Sequence, residues 1–377
     1  MRLLHTADWH LGRALCGQSF HAEQERLLTG AFLDILRETR PDAVLLAGDV
    51  YDRALPPADS VELLDDVLQR IVRGLGIPVV MIAGNHDDER RLAFGARLLR
   101  PSGLHICDSA MGCAFPFEDA HGPVSILAAG YGTPALLANL FGAEAGITTH
   151  DAGFAAVTAH LRGLAPAGAR TVVVAHAFIS GGLTSESERM LQVGGSGAVS
   201  AAHLAGFHYT ALGHLHRRQS MAEGRIAYSG SPLAYSFAEA GGTKSVTLVE
   251  LDAAGNVTAE DIPLTPRHKL RVLRGTLAEV LAMADDPGRE DWLQVILTDR
   301  QLGAKALLQE RYPFVLELRF ESPLAMGEAG ATPGARIPQD PLEALMAFRA
   351  AIGAGDLDGE ERAAAIQAIS AAMRAEA

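Results

Sequence analysis

Residues 78–87 read PVVMIAGNHD, an apolar run that ends in a glycine and is followed at once by three polar residues. Short apolar runs bounded in this way are typical of buried strands. Asn85 can offer a neutral oxygen to a metal ion, and His86 can give a proton to the leaving oxygen of a phosphate ester. Asp87 is expected to hold the loop and cap the helix that follows. The stretch therefore predicts a strand end that carries metal and phosphate chemistry.

The same arrangement recurs at the ends of four more predicted strands. The clusters are Asp8 with His10 after residues 2–6, Asp49 with Asp52 after residues 43–47, His176 after residues 171–175, and His214 with His216 after residues 209–212. In a regular strand the last two histidines point to the same face, because side chains alternate with period two. Helical patterns at about residues 22–37 and 57–73 separate the first three strands, which indicates α/β organisation. The clusters that follow these three strands, at Asp8, Asp49 and Asn85, should therefore meet at one edge of a sheet.

Carboxylate, imidazole and amide groups make up the candidate ligand set. Its members are Asp8, His10, Asp49, Asn85, His176, His214 and His216. This mixture suits manganese, iron or zinc in sites with open positions for water and substrate. Seven ligands are too many for one ion that must leave room for substrate, so two ions that share a carboxylate fit better. Each motif alone is also compatible with a turn, a helix cap or a buried histidine, but the repetition at strand ends favours a metal site.

The remaining chain predicts further units. Residues 225–228, 245–251 and 257–262 are typical of antiparallel strands, and residues 270–320 alternate between strand-like and helix-like runs, which predicts a small α/β domain. A stretch rich in glycine, proline and alanine follows, and then come two helical patterns at about residues 341–351 and 359–375. Two short helices bury little surface by themselves, so they should pack on their own domain or on a partner, and we favour the partner.

Composition restricts the class of protein. The chain has 377 residues, 48% of them hydrophobic, which predicts two or three globular units. The absence of a long apolar run, of a signal-peptide pattern and of CxxC spacing among three cysteines predicts a cytoplasmic protein. The net charge of −13 is unusual for a protein that binds nucleic acid, but bound metals neutralise carboxylates and basic residues can cluster locally.

The series of motifs resembles the calcineurin-like metallophosphoesterases, whose signature is DxH, GDxxD, GNHD, a single histidine after a strand, and GHxH. Residues 185–189, 192–196 and 228–233 are similar to the SbcD family of nuclease subunits from bacterial SbcCD complexes. The resemblance implies an α/β fold, with a metallophosphoesterase β-sandwich flanked by helices at residues 1–265. It further implies a small α/β DNA-capping domain at residues 266–322, a linker at residues 323–338, and a C-terminal helical hairpin at residues 339–377 that binds an SbcC-like ABC-type ATPase.

The resemblance also implies roles for individual residues. One metal ion would be held by Asp8, His10 and His216, and the other by Asn85, His176 and His214. Asp49 would bridge the two ions. His86 would contact the scissile phosphate and help to protonate the leaving oxygen, and Asp52 would orient His86.

Positive charge next to the motifs predicts contacts with the DNA backbone. The candidates are Arg13, Arg53, Arg90, Arg91, Arg217 and Arg218, for each of which a solvated arginine is an equally good interpretation. A pair of helices at about residues 57–73 and 88–99 would build a homodimer interface, as in the family, and core packing explains the same apolar spacing equally well.

The resemblance, together with these features, implies a metal-dependent DNA double-strand exonuclease and hairpin or single-strand endonuclease in DNA repair, recombination and replication. Two divalent ions, manganese first and magnesium, iron or zinc as alternatives, would activate the water that attacks the phosphodiester. The expected partners are double-stranded DNA ends and hairpins and the ATPase, in a heterotetramer that contains a homodimer of this chain. The chain lacks the Gly-Lys-Ser/Thr of a P-loop, so if its activity on duplex DNA depends on ATP, the ATPase must be a separate chain. The alternatives are a small-molecule phosphodiesterase of the same superfamily and a DNA-end-binding scaffold.

Overall fold

A computed structural model describes residues 1–188, 197–283 and 286–321, together with residues 342, 346, 349, 358, 359 and 361–366. The chain forms two compact units, Met1–Phe320 and Glu321–Ala377. Among the described residues, every helix is too short or too polar to span a bilayer.

Residues 1–188, 197–283 and 286–321 contain seventeen β-strands and nine α-helices. The strands are β1 (Arg2–Thr6), β2 (Ala14–Leu15), β3 (Gln18–Ser19), β4 (Ala43–Ala47), β5 (Val79–Ile82), β6 (Leu104–Ile106), β7 (Cys113–Asp119), β8 (Gly122–Ala129), β9 (Arg170–His176), β10 (Tyr209–Gly213), β11 (Gln219–Met221), β12 (Ile226–Tyr228), β13 (Lys244–Leu251), β14 (Val257–Leu264), β15 (Leu270–Gly275), β16 (Trp292–Leu297) and β17 (Val315–Phe320). The helices are α1 (His21–Thr29), α2 (Ala31–Thr39), α3 (Ala58–Gln69), α4 (Glu89–Leu92), α5 (Ala96–Leu99), α6 (Pro134–Phe141), α7 (His150–Leu164), α8 (Leu277–Leu281) and α9 (Ala304–Arg311).

Two six-stranded sheets form the larger part of the first unit. Their strand orders are β14-β13-β1-β4-β5-β6 and β11-β12-β10-β9-β8-β7. Strands β1, β4 and β5 run parallel and end at one edge of the first sheet, so the predicted meeting of their loops is confirmed. Strands β9 and β10 run parallel in the second sheet. The predicted sandwich is thus confirmed, with the histidine-bearing strands in the sheet opposite the first three clusters.

Four layers, ordered helices, sheet, sheet and helices, enclose three apolar interfaces. In β4, Leu45 packs between the sheets, whereas Val44 and Leu46 pack against the helices, as the alternation of side chains in a strand requires. Helices α1, α2 and α3 cover the outer face of the first sheet, and α7 covers that of the second. Because both faces are covered, β4 is buried along its whole length and reads as a continuous apolar run.

Glycines break two of the predicted helices. The helix predicted at about residues 22–37 is two helices, because the backbone turns at Gly30 (φ −108°, ψ −103°) between α1 and α2. The helix predicted at residues 88–99 was wrong: α4 and α5 are single turns, separated by Gly95 in the left-handed region (φ 73°). The helix predicted at residues 57–73 is α3 followed by a π-helical segment, Arg70–Leu75.

The small α/β region predicted at residues 270–320 is confirmed. Strands β15, β16 and β17 form a parallel three-stranded sheet, and α8 and α9 pack on it around a core of its own. Trp292 of β16 also packs edge-on against Phe20, with ring centroids 4.8 Å apart. The small sheet is therefore anchored to the larger part of the first unit by apolar contacts.

Some predictions fall outside the described residues. These are the linker at residues 323–338, residues 192–196, and most of the C-terminal hairpin. Residues 342, 346 and 349 are helical, as are residues 359 and 361–366, and Arg349 forms an ion pair with Glu361 at 3.6 Å. The predicted boundaries between domains stay predictions.

Gly213 lies where the two sheets approach each other closely. A Cβ there would lie 1.8 Å from the main-chain oxygen of Ala47 and 2.8 Å from Nδ1 of His176. Gly213→Ala should therefore force the sheets apart and lower the free energy of unfolding by about 1–3 kcal/mol. As a control, Gly163→Ala in α7, where a Cβ meets nothing within 4 Å, should leave it unchanged or raise it by up to about 1 kcal/mol. Urea unfolding measures both, and a Gly213→Ala variant as stable as wild type would contradict this account.

Candidate metal centre

The loops that carry the predicted ligands leave their strands through left-handed backbone. Asp8, His10, Asp49 and His214 have φ values of 55°, 45°, 46° and 103°. Such conformations cost roughly 1–3 kcal/mol each and persist only where the surroundings impose them. Here main-chain hydrogen bonds tie the first two loops together: the N–H of Asp8 donates to Gly48 at 3.0 Å, and that of His10 donates to Asp49 at 2.9 Å. These bonds direct both sets of side chains toward one point.

Asp49 lies at the centre of the cluster and is buried. Its Oδ1 accepts a hydrogen bond from the main-chain N–H of His86 at 2.9 Å. Its Oδ2 lies 3.6 Å from Nε2 of His10 and 3.5 Å from Nε2 of His176. One carboxylate thus faces histidines from both predicted groups, which is the placement that a bridging ligand requires.

The first predicted group comes together as expected. Ligand atoms of Asp8, His10 and His216 all lie within 4.8 Å of one another, and the two Nε2 atoms are 3.0 Å apart. Oδ1 of Asp8 accepts from the main-chain N–H of His214 at 2.9 Å, whereas its buried Oδ2 has no hydrogen-bond partner among the described residues. A buried carboxylate oxygen without a partner is costly, so the side chains fit a cation that would contact it.

The second predicted group meets around the side-chain oxygen of Asn85. This oxygen lies 2.9 Å from Nε2 of His176 and 3.1 Å from Nδ1 of His214. His176 donates from Nδ1 to the main-chain oxygen of Ala47 at 3.0 Å, so its Nε2 is the nitrogen available to a metal. The amide oxygen and the unprotonated imidazole nitrogens carry lone pairs but no charge, so they would complement the carboxylates of Asp8 and Asp49 around a cation.

Burial keeps most of these imidazoles in the neutral form that binds metals. It lowers the pKa of His214 and of His216 to about 3, and it lowers that of His10 as well. His176 differs, because burial opposes protonation but Asp49 and then Asp8 outweigh it and raise the pKa to about 9. The two carboxylates therefore attract positive charge to this point, as a cation-binding site must.

His86 stands beside the ligand groups and is partly exposed. One of its ring nitrogens lies within 4.8 Å of ligand atoms of His10 and Asp49. Its Nδ1 donates to the main-chain oxygen of Asp52 at 2.8 Å. The Asp52 carboxylate instead pairs with Arg13 at 2.8 Å and lies 3.5 Å from Nδ1 of His10. Asp52 thus holds His86 through its main chain, rather than through the carboxylate that the resemblance implies.

Asp87 joins the two central loops. Its carboxylate accepts from the main-chain N–H groups of Val50, Tyr51 and Gly84 at 3.0, 2.8 and 2.9 Å. The prediction that it holds the loop is confirmed, but the prediction that it caps the next helix was wrong. Asp88 is the N-cap of α4, because its side chain accepts from a main-chain N–H in the first turn.

The six candidate arginines fall into two groups. Arg13 and Arg218 are committed to ion pairs, the first with Asp52 and the second with Asp261. The exposed members are Arg53, Arg90, Arg91 and Arg217, of which Arg91 lies 3.8 Å from Asp88. The exposed four are better placed to meet a polyanion than the paired two.

The sequence analysis missed a set of buried polar residues around His216. The hydroxyl of Ser187 lies 2.6 Å from Nδ1 of His216. The carboxylate of Glu188 accepts a hydrogen bond from the main-chain N–H of His216 at 2.7 Å. Behind them Glu239 forms a buried ion pair with Lys244. One signal was available, because Lys244 is one of three lysines in a chain with 32 basic residues. A lysine that is rare and embedded in an apolar strand warrants a search for its counterion.

The comparisons with known families agree with this geometry. Residues 1–163 match the family described as Calcineurin-like phosphoesterase. The fold is that of a calcineurin-like phosphoesterase, a class of metal-dependent phosphoester hydrolases. Residues 266–348 match the SbcD_C family, described as Type 5 capsule protein repressor C-terminal domain. The two matches on one chain support an SbcD-type nuclease subunit. Three of the predicted ligands, His176, His214 and His216, lie beyond the first match and join the site through the second sheet.

Divalent metal should stabilise the fold through these groups. Manganese at about 100 times its Kd should raise the free energy of unfolding by about 2.7 kcal/mol, because the ligands converge only in the folded state. Asp49→Ala should remove most of this gain in stability. The control is Asp34→Ala, at an exposed position on α2, which should show the same gain as wild type. Urea unfolding with manganese or with a chelator measures the effect. A full manganese response in Asp49→Ala would exclude the central role of this carboxylate.

Proposed function

We propose that this chain is a manganese-dependent DNA exonuclease and endonuclease that works as the nuclease subunit of an SbcC-like ATPase in DNA repair, recombination and replication. The observation that carries the proposal is the convergence of seven ligand groups around Asp49, with His86 beside them. Carboxylate, amide and imidazole donors suit manganese, with magnesium, iron and zinc as alternatives.

In this proposal the ligands divide into two sets. One ion would be held by Asp8, His10 and His216, and the other by Asn85, His176 and His214. Asp49 would be shared between the two sets. The bound ions would lower the pKa of an attacking water and neutralise charge on the phosphate. The chain's own task is to hold the donor atoms close together, which the main-chain bonds between the loops accomplish.

His86 is the proposed proton donor to the leaving oxygen. The carbonyl of Asp52 can only accept, so Nδ1 carries a hydrogen and Nε2 is the nitrogen left for the substrate. The main-chain N–H of His86 is held by Asp49 at 2.9 Å. The ring is thus fixed by two bonds beside the proposed metal positions, which is the placement that general acid catalysis needs.

The proposed partners follow from surface and domain features. The exposed arginines beside the site offer charge to a DNA backbone, and residues 266–322 would cap the DNA. Residues 323–338 would link them to a hairpin at residues 339–377 that binds the ATPase. The match of residues 266–348 to the SbcD_C family supports this arrangement.

A homodimer is proposed because α3 and the α4–α5 segment expose neighbouring apolar side chains. Phe94 is 85% exposed, Leu98 is 84% exposed and Leu55 is 65% exposed. Leu55 and Phe94 line one groove together with Val61. Exposed apolar surface of this kind marks interaction sites.

Phe94→Glu should dissociate the dimer, because it places a charge in the apolar contact. The matched control is Leu302→Glu, at a fully exposed leucine in the small α/β region, which should leave the dimer intact. Sedimentation velocity measures both, and a Phe94→Glu variant that sediments like wild type would count against this interface.

Two other functions remain testable alternatives. A small-molecule phosphodiesterase does not need a second domain and a hairpin, and a DNA-end-binding scaffold does not need an intact ligand set. Purified protein would be incubated with manganese and with linear or hairpin DNA, with and without the ATPase, beside a generic phosphodiester. DNA cleavage is expected. If the small diester is cleaved but DNA is not, even with the ATPase present, the proposed nuclease activity is wrong.

His86→Ala should separate catalysis from metal binding. We expect DNA cleavage to fall by about 10²- to 10⁴-fold, the usual contribution of a general acid, while the number of bound manganese ions is unchanged. His121→Ala, at an exposed histidine between β7 and β8, is the control and should retain both. Loss of a manganese ion in His86→Ala would instead place His86 among the ligands.

A further inference from the structure

The ring of His216 is held from behind by a chain of buried polar groups. The hydroxyl of Ser187 lies 2.6 Å from its Nδ1 and donates its own hydrogen to Glu239. An ionised carboxylate can only accept, so Ser187 must use a lone pair to accept from Nδ1–H of His216. This fixes one tautomer of His216, in which Nε2, the nitrogen that faces His10, keeps its lone pair.

Lys244 fixes the far end of this chain. Its ammonium group is buried and donates to the Glu239 carboxylate, to the hydroxyl of Ser231 at 2.9 Å and to the main-chain oxygen of His216 at 2.8 Å. All three of its hydrogens therefore have acceptors. The lysine holds Glu239 in the ionised form and also holds the backbone of His216, so both ends of the chain are anchored.

The two metal groups differ in what stands behind their imidazoles. Behind Nδ1 of His216 lies a carboxylate, relayed by a hydroxyl, and Nδ1 of His10 faces the carboxylate of Asp52 at 3.5 Å. Nδ1 of His176 donates to a neutral main-chain carbonyl and lies 3.8 Å from Oδ1 of Asp8, a member of the first group. His214 turns its Nδ1 toward the amide oxygen of Asn85, inside its own ligand group. A carboxylate behind a ligating histidine raises its basicity and fixes its orientation.

We propose that Glu239, acting through Ser187, is a positioning residue for His216, and that it makes the metal position of Asp8, His10 and His216 the tighter of the two. The inference rests on the proposed function only in requiring that these groups bind two ions. Loss of such an outer partner typically weakens metal binding by about 10- to 100-fold.

Ser187→Ala is the sharpest test, because it cuts the chain and leaves the ion pair between Glu239 and Lys244 in place. Manganese binding to the full-length protein would be measured by calorimetry and by electron paramagnetic resonance of the free ion. The Kd of the tighter position, that of Asp8, His10 and His216, should rise by about 10- to 100-fold. The Kd of the other position should stay unchanged. The metal-free variant should unfold at a lower temperature than wild type, because Nδ1–H of His216 loses its acceptor, so the test compares the two Kd values within one protein.

Three further variants keep the outcome decisive. Ser187→Thr retains a hydroxyl and should restore binding, and Ser180→Ala, at an exposed serine after β9, should behave as wild type. Glu239→Gln combined with Lys244→Met removes the buried pair as a unit and should weaken the same position. Two wild-type Kd values in Ser187→Ala, or equal weakening of both positions, would overturn the proposal. A wild-type protein that binds two ions but cleaves no DNA would instead reject the nuclease.

Discussion

The carboxylate of Asp49 is the constraint around which the rest of the site is arranged. It must reach His10 in its own sheet and His176 in the opposite sheet, so the two sheets have to approach closely where their strands end. The glycines of the motifs permit this approach. A Cβ at Gly48 would lie 2.5 Å from the His176 ring, and one at Gly84 would lie 2.1 Å from the Asp49 carboxylate. The glycines next to the ligands therefore serve packing, and the ligands that follow them serve chemistry.

Local patterns were sufficient to predict the strand ends, because an apolar run followed by a glycine and polar residues is visible in a short window. The breaks at Gly30 and Gly95 were not predicted, since apolar spacing continues across both positions. The role of Asp52 was implied by the family resemblance, and the structure shows that its carboxylate faces Arg13 and His10. The set around His216 was not predicted: the rarity of lysine marks Lys244, but Ser187, Glu239 and Lys244 meet only in the folded chain.

Tyr235 connects the proposed metal site with the small α/β region. Its ring packs against His10 and His216, with centroids 5.5 and 5.7 Å away, and against Phe20 at 5.2 Å. Phe20 in turn packs against Trp292 of β16 at 4.8 Å. One row of aromatic side chains thus supports two imidazole ligands at one end and anchors the small sheet at the other. Packing of the small sheet and alignment of the ligands therefore share the same apolar contacts.

The left-handed backbone at Asp8, His10, Asp49 and His214 has a consequence for engineering. Each of these conformations costs roughly 1–3 kcal/mol, and their sum is comparable to the whole stability of a typical domain. The metal-free fold would therefore gain stability from a glycine at several of the positions where the chemistry needs a ligand. Without bound metal, a selection for thermal tolerance alone would thus favour replacement of the ligands themselves. Stabilising libraries built on this protein should hold these positions fixed, or they will enrich robust proteins that no longer bind metal.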